Sequence, residues 1–308
     1  MIAVVCPGQG SQTPGFMLPW LDLPGFRASI ESMQAASGID LIAHGTVSDA
    51  DTIRDTAVAQ PLIVSAGVAT LAALFDLDGE VSDKISGVAG HSVGEITAAV
   101  ASGIFTAEQG IKFVKERGDA MALAAGLEPT SMAAILGGEQ SVVEARLAEL
   151  GLEPANYNGG GQVVAAGAAA AIGELQAEGP AGARVIPLQV AGAFHTRFMA
   201  PAVATLASYS EGLSVADPIA SLWTNAGGKK VSSGSEFVSL MVNQVKNPVR
   251  WDLCMAAMVE AGVTALIEVS PAGTLAGLAK RSMPGVETLA IKTPEHLDAA
   301  LQLIANHA

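Results

Sequence analysis

The chain has 308 residues, half of them hydrophobic and only 15% charged, with a formal net charge of −14. That size and composition describe a globule with a sizeable core, built as one large domain or a large domain with a smaller companion, and they exclude a disordered tail. The acidic balance argues against general nucleic-acid binding. Two cysteines, Cys6 and Cys254, lie far apart without metal spacing and make a poor disulfide scaffold. The chain opens without a basic n-region and apolar h-region, so it reads as a cytoplasmic protein with no secretory signal.

Ile2-Ala3-Val4-Val5-Cys6, closed by Pro7-Gly8, predicts a short buried strand. The loop after it, Gly8-Gln9-Gly10-Ser11-Gln12, has neither dinucleotide spacing nor the Gly-Lys-Ser/Thr of a phosphate loop. Helical patterns then dominate. The uncharged stretch from Thr56 to Phe75 raises a membrane question, but Gln60, Pro61, Ser65 and Thr70 interrupt it and no basic flank orients it, so a buried helix starting near Pro61 is expected.

A predicted strand, Lys84 to Ala89, leads into Gly90-His91-Ser92-Val93-Gly94 and a helix from about Glu95 to Ser102. Strand, G-x-S-x-G and helix in that order fit a nucleophile elbow. The turn lifts the serine oxygen above the sheet, and the helix N-terminus behind it offers free N–H groups to a developing negative charge. The pentapeptide alone would equally suit a tight turn with a capping serine. A further helix covers Glu108 to about Leu123.

The middle of the chain predicts a strand at Met132–Leu136, a helix at Glu139–Leu150, strands near Glu153–Tyr157 and Gln162–Ala166, a helix near Ala168–Ala177 and a strand at Arg184–Val190. The order βαββαβ is the ferredoxin-like split arrangement. It suggests a small domain over residues 128–191 inserted into a large α/β domain made of 1–127 and 192–308. The large domain resumes at Ala193-Phe194-His195, with a helix starting near Met199-Ala200-Pro201 and a strand at Ala265–Val269.

A serine hydroxyl needs a base. Of five histidines, His307 lies at the terminus, and His44 and His296 sit in polar turn-like contexts. His91 should point away from the serine oxygen across the turn. His195, between a strand and a helix, is best placed to meet the elbow. No acid stands out to orient it; a backbone carbonyl or an amide such as Gln244 remains open for that role. Arg117 reads plainly as a surface arginine paired along its helix, or more sharply as a clamp selecting acyl groups with a distal carboxylate.

Taken together, Pro7-Gly8-Gln9-Gly10-Ser11-Gln12, Gly90-His91-Ser92-Val93-Gly94-Glu95, Arg117, Phe194-His195 and Asn247-Pro248-Val249-Arg250-Trp251 closely resemble the malonyl-CoA:acyl-carrier-protein transacylase family, the acyltransferases of type II fatty acid synthesis. The resemblance spans essentially the whole chain, in order. It implies an α/β-hydrolase-like large domain with an inserted ferredoxin-like small domain. It implies Ser92 as nucleophile, His195 as base held by the Gln244 carbonyl, and the Gln9 and Val93 amides as oxyanion hole. Arg117 becomes the carboxylate clamp, and Gln60, Phe194, Gln244, Asn156 and Asn158 surround the substrate. The implied partners are malonyl-CoA and the phosphopantetheine arm of acyl carrier protein, without nucleic acid, membrane, metal or redox cofactor. Anionic partners require a local basic patch on this acidic chain, for which Lys112, Lys115, Arg184, Arg197, Lys229, Lys230, Lys246, Arg250, Lys280 and Arg281 are available. The chain departs from the family at Asn158-Gly159-Gly160-Gly161-Gln162, where many members have a proline. Rival readings are a transferase for another extender such as methylmalonyl-CoA, a serine thioesterase or hydrolase with the same elbow, and a non-catalytic carrier-binding scaffold.

Overall fold

The computed structural model describes residues 1–75, 85–190 and 192–307. Lys84, at the start of the expected elbow strand, lies outside them. Two sheets organise the described residues. The larger has strand order β11-β10-β1-β2-β7-β8, with β1 Ile2–Cys6, β2 Gly87–Gly90, β7 Ser221–Trp223, β8 Lys230–Val231, β10 Ala265–Glu268 and β11 Glu287–Ala290. Its pairings are parallel except β7 with β8. β1 and β10 are buried throughout, as expected of parallel strands covered on both faces. The register sets Cys6 against Gly90, so the Pro7–Gln9 loop and the Ser92 turn leave the sheet side by side at the carboxyl ends of the strands. That edge is where open α/β sheets bind ligands.

The second sheet has order β6-β3-β5-β4-β9. β3 Thr130–Gly137, β4 Glu153–Gly159, β5 Gln162–Ala168 and β6 Ala183–Pro187 pair antiparallel in the ferredoxin-like order. Ile135, Leu147, Val163, Ile172 and Leu175 pack between this sheet and its two helices as a separate core. β9, only Val249–Arg250, adds to β4 in parallel and ties this sheet to the C-terminal part of the chain. The expected strand to Val190 ends earlier, at Pro187. Proline cannot donate to a ladder, and residues 188 and 190 turn instead toward a cavity described below.

The helices, in chain order, are α1 Pro24–Ser37, α2 Leu41–Thr46, α3 Thr56–Phe75, α4 Gly94–Ala101, α5 Ala107–Ala125, α6 Gln140–Glu149, α7 Ala169–Ala177, α8 Ala200–Ser210, α9 Gly234–Gln244, α10 Trp251–Glu260, α11 Thr274–Ser282 and α12 Leu297–His307. α3 is long and apolar enough to cross a membrane, yet 83% of its most apolar window is buried within the protein. It packs against α1, α2, α4 and α5. It begins five residues before the expected start because Asp55 caps it, its carboxylate accepting the Ala57 N–H at 2.8 Å and its carbonyl the Val58 and Ala59 N–H groups. Pro61 therefore lies inside the helix, where it withholds one backbone donor, and burial on all sides outweighs that loss.

Replacing a fully buried α3 side chain tests this packing. Leu71→Ala should lower the unfolding free energy by about 2–5 kcal/mol in a denaturant titration; a loss below about 1 kcal/mol would mean that α3 is not a core helix.

Candidate active site

The elbow is built by close backbone approach. A Cβ on Gly90 would sit 2.0 Å from the Gly94 carbonyl carbon, and one on Gly94 would sit 2.1 Å from the Cys6 carbonyl oxygen. Only glycine fits at either position. Between them Ser92 adopts φ +53°, a left-handed conformation that strains a side-chain-bearing residue by about 1–3 kcal/mol. Asn225, just after β7, clamps the turn: its Oδ1 accepts the Ser92 N–H at 2.8 Å and its Nδ2 donates to the Gly90 carbonyl at 2.7 Å. The His91 N–H donates to the Cys6 carbonyl at 2.9 Å.

His195 is the other non-glycine residue with positive φ among the described residues, at +63°. Its N–H donates to the Val245 carbonyl, and its ring lies between Ser92 Oγ, 2.7 Å from Nε2, and the Gln244 carbonyl, 2.9 Å from Nδ1. A carbonyl only accepts, so Nδ1 carries the proton and Nε2 is free to take the serine proton. Burial first, then the nearby Arg117 charge, push the His195 pKa down to about 3. The imidazole is thus neutral throughout the physiological range. Of the two orienting groups left open by the sequence, the structure selects the backbone carbonyl.

Arg117, on α5, is not a surface residue: it is 1% exposed. Nη1 donates to Gln60 Oε1 at 2.6 Å, and Nη2 donates to Gln244 Oε1 at 2.8 Å and, weakly, to Ser92 Oγ at 3.4 Å. Burial pulls its pKa down to about 10, so it stays charged at neutral pH. Gln60 precedes Pro61 on α3, and its Nε2 rests on Met121 Sδ. Glu95, in the first turn of α4, is also 1% exposed and accepts from Gln244 Nε2 at 2.5 Å and the Asn225 N–H at 2.6 Å.

A cavity of about 90 Å³ opens over the serine. Gln9, Gln60, Ser92, Val93, Asn156, Phe194 and His195 from the sequence reading all line it, with Met121, Met132, Leu188 and Val190 on its apolar side. Among the described residues, the Gln9 and Val93 N–H groups donate to no protein acceptor. Arg117 and Gln244 reach the site from behind, through Ser92. Asn158 is not among the residues lining the cavity; its Oδ1 lies 2.9 Å from His91 Nε2 and holds that ring, which forms part of the wall. His44, His296 and His307 bond to Ser48, Thr293 and Thr264, away from the cavity. Gly159, Gly160 and Gly161 all have positive φ, a conformation closed to proline. Neither Glu95 nor Asn225 has a role that the sequence alone assigns. A glutamate inside an otherwise apolar helix was a readable signal for the first; the second follows a three-residue strand that periodicity did not reveal.

Of the basic candidates for a docking patch, Lys112, Lys115, Arg197, Lys229 and Arg250 are committed to carboxylates: Glu108, Asp119, Glu153, Glu236 and Asp252. Lys230 lies over the Trp223 ring.

The neutral buried imidazole has a stability consequence. An unfolded histidine takes a proton below about pH 6.5, whereas folded His195 resists until about pH 3, so stability falls as pH drops through that window. His195→Asn should therefore lose less stability than the parent between pH 7 and 4.5, by on the order of 2 kcal/mol in urea titrations; equal losses would mean that His195 is protonated in the fold.

The acyl transferase domain family matches residues 3–293. A malonyl CoA-acyl carrier protein transacylase of Mycobacterium tuberculosis is 47% identical over 98% of this chain and 100% of its own length. The Escherichia coli K12 protein of the same name is 32% identical, covering 98% and 99%. Among solved structures, that of MCAT from Mycobacterium tuberculosis superposes with a TM-score of 0.94 at 46% identity, covering 98% and 99% of the two chains. A malonyl-transacylase solved in complex with a type II PKS acyl-carrier protein gives 0.91 at 30% identity, covering 98% and 99%. The chain belongs to the malonyl CoA-acyl carrier protein transacylase family of acyl transferase domains.

Proposed function

We propose that this protein moves a malonyl group from malonyl-CoA to the phosphopantetheine thiol of acyl carrier protein, with Ser92 carrying it between the two. The observation that supports this most is a buried, charged Arg117 whose Nη2 lies 3.4 Å from a serine oxygen already bonded to a neutral histidine. A hydrolase needs the serine and histidine; only a site for an acyl group that ends in a carboxylate needs the guanidinium.

Ser92 Oγ attacks the thioester carbonyl while His195 Nε2 takes its proton. The Gln9 and Val93 amides hold the oxyanion, where loss of one donor typically costs about 3–4 kcal/mol. The proton returns to the departing thiol of coenzyme A. Arg117 then exchanges its long bond to Ser92 for bonds to the malonyl carboxylate, each charge-assisted bond contributing roughly 1.5–3 kcal/mol. The thiol of acyl carrier protein repeats the steps in reverse. A second groove, lined by Gln12, Ile53 and Arg54, shares Gln9, Leu188 and Val190 with the cavity and offers the thioester arm a route in. Gln60, Phe194 and Asn156 shape the space around the acyl group, and Phe194 restricts room for an α-methyl substituent. In this reading residues 128–191 form the small domain, 1–127 and 192–308 form the large one, and the enzyme works in the cytoplasm on fatty acid precursors.

Malonyl-CoA should add one malonyl mass to the protein, and Ser92→Ala should abolish it; labelling that survives the substitution would refute the nucleophile. Arg117→Ala should lower kcat/KM for malonyl-CoA by at least about tenfold more than for acetyl-CoA, the loss of one or two charge-assisted bonds. Equal losses would make Arg117 structural.

A further inference from the structure

Glu95 is a buried carboxylate that the chemistry above leaves unused. It follows Ser92 by three residues, and one Gln244 amide joins it to Arg117: Nε2 donates to Glu95 at 2.5 Å while Oε1 accepts from Arg117 at 2.8 Å. The groups that face Glu95 from the surrounding elements are Arg117 on α5, Cys254 on α10, and the uncharged Asn225, Thr224 and Gln244. Burial holds Cys254 as a neutral thiol, and His195 and His91 as neutral rings. Among the described residues Arg117 and Glu95 are therefore the two charges of the cluster, and in the unacylated site they balance.

A malonyl ester on Ser92 brings a second carboxylate to the same guanidinium. Two carboxylates around one cation, out of water, raise the proton affinity of one of them. The malonyl carboxylate meets Arg117 directly, whereas Glu95 reaches it only through an amide. Desolvation already holds the Glu95 pKa up at about 7, against the opposing bonds from Asn225 and Thr224 and the charge of Arg117. Glu95 is thus the group that yields.

We propose that Glu95 is the resident counter-ion of Arg117 and takes up a proton from solvent when a malonyl group, but not a neutral acyl group, is loaded onto Ser92. The inference rests on the transacylase reading. Acylation itself moves the Ser92 proton to the thiol of coenzyme A and leaves no net change. The additional proton comes from bulk water, stays on the Glu95 carboxylate while malonyl occupies the site, and returns to water when the carrier thiol removes it. Glu95 would then tune the site to the charge of the acyl group without discharging Arg117.

The test is proton counting. The protein is mixed with stoichiometric malonyl-CoA, or with acetyl-CoA, at pH 7.5 in weak buffer with an indicator dye, and acyl-Ser92 is counted by intact mass. The ionisation of the released thiol is common to both arms and cancels. The parent protein should take up roughly half a proton or more per malonyl-Ser92 beyond that per acetyl-Ser92. In Glu95→Gln that difference, normalised to adduct formed, should vanish. Equal proton counts for the two acyl groups in the parent would overturn the proposal, and so would undiminished uptake in the variant. The parent comparison decides the matter even if the variant does not fold. A parent protein that gains no malonyl mass at all would overturn the transacylase reading and this inference with it, whereas malonyl mass without extra proton uptake overturns the inference alone.

Discussion

A guanidinium with 1% of its surface exposed constrains everything around it. Removing such a charge from water is expensive unless fixed partners replace the solvent. Arg117 finds them in Gln60 from α3 and Gln244 at the end of α9, and Glu95 supplies the opposite charge one amide away. Each partner is committed elsewhere as well. Gln244 uses its side chain for Arg117, Glu95 and the Ser92 carbonyl, and its backbone carbonyl for His195. The guanidinium proposed to select the acyl chain and the imidazole proposed as base are therefore positioned by one residue, which would link binding and chemistry.

The backbone carries the rest of the arrangement. Ser92 and His195 both sit in left-handed conformations that glycine would take more easily, and the proposed reaction uses the side chain of each. Such strain persists only where surrounding structure over-determines it. Here Asn225, the Cys6 carbonyl and the Val245 carbonyl pin the two turns. Parallel pairing of β1 with β2 brings the Gln9 and Val93 amides to the same edge with no side chain involved. The site is thus set largely by main chain on rigid elements, as pre-organised stabilisation of a developing oxyanion requires.

Much of this was legible in the sequence, for identifiable reasons. The elbow announced itself through Gly90 and Gly94, because no other residue fits there. The ferredoxin-like unit appeared as a change from helical to alternating strand and helix patterns. What stayed hidden had no periodic signature. β7 and β9 are three and two residues long, too short to read, yet β7 leads to Asn225 and β9 ties the second sheet to the C-terminal part of the chain. The sequence signals the start of α3 too late because proline usually opens a helix, and here Asp55 opens it five residues earlier. Asn158, which the resemblance sets near the substrate, bonds the His91 ring, a contact that spacing along a strand cannot reveal. Arg117 had two sequence readings, surface pair or clamp, and only packing decides that it is buried.

In the proposed transfer the malonyl carboxylate meets Arg117 while its ester carbonyl faces the Gln9 and Val93 amides. A crystal structure of the protein trapped with malonyl on Ser92 tests both at once. It should place the carboxylate within hydrogen-bond distance of the Arg117 guanidinium and the ester oxygen within the same reach of the Gln9 and Val93 N–H groups. A carboxylate turned to solvent, with Arg117 still bonded only to Gln60, Gln244 and Ser92, would contradict it.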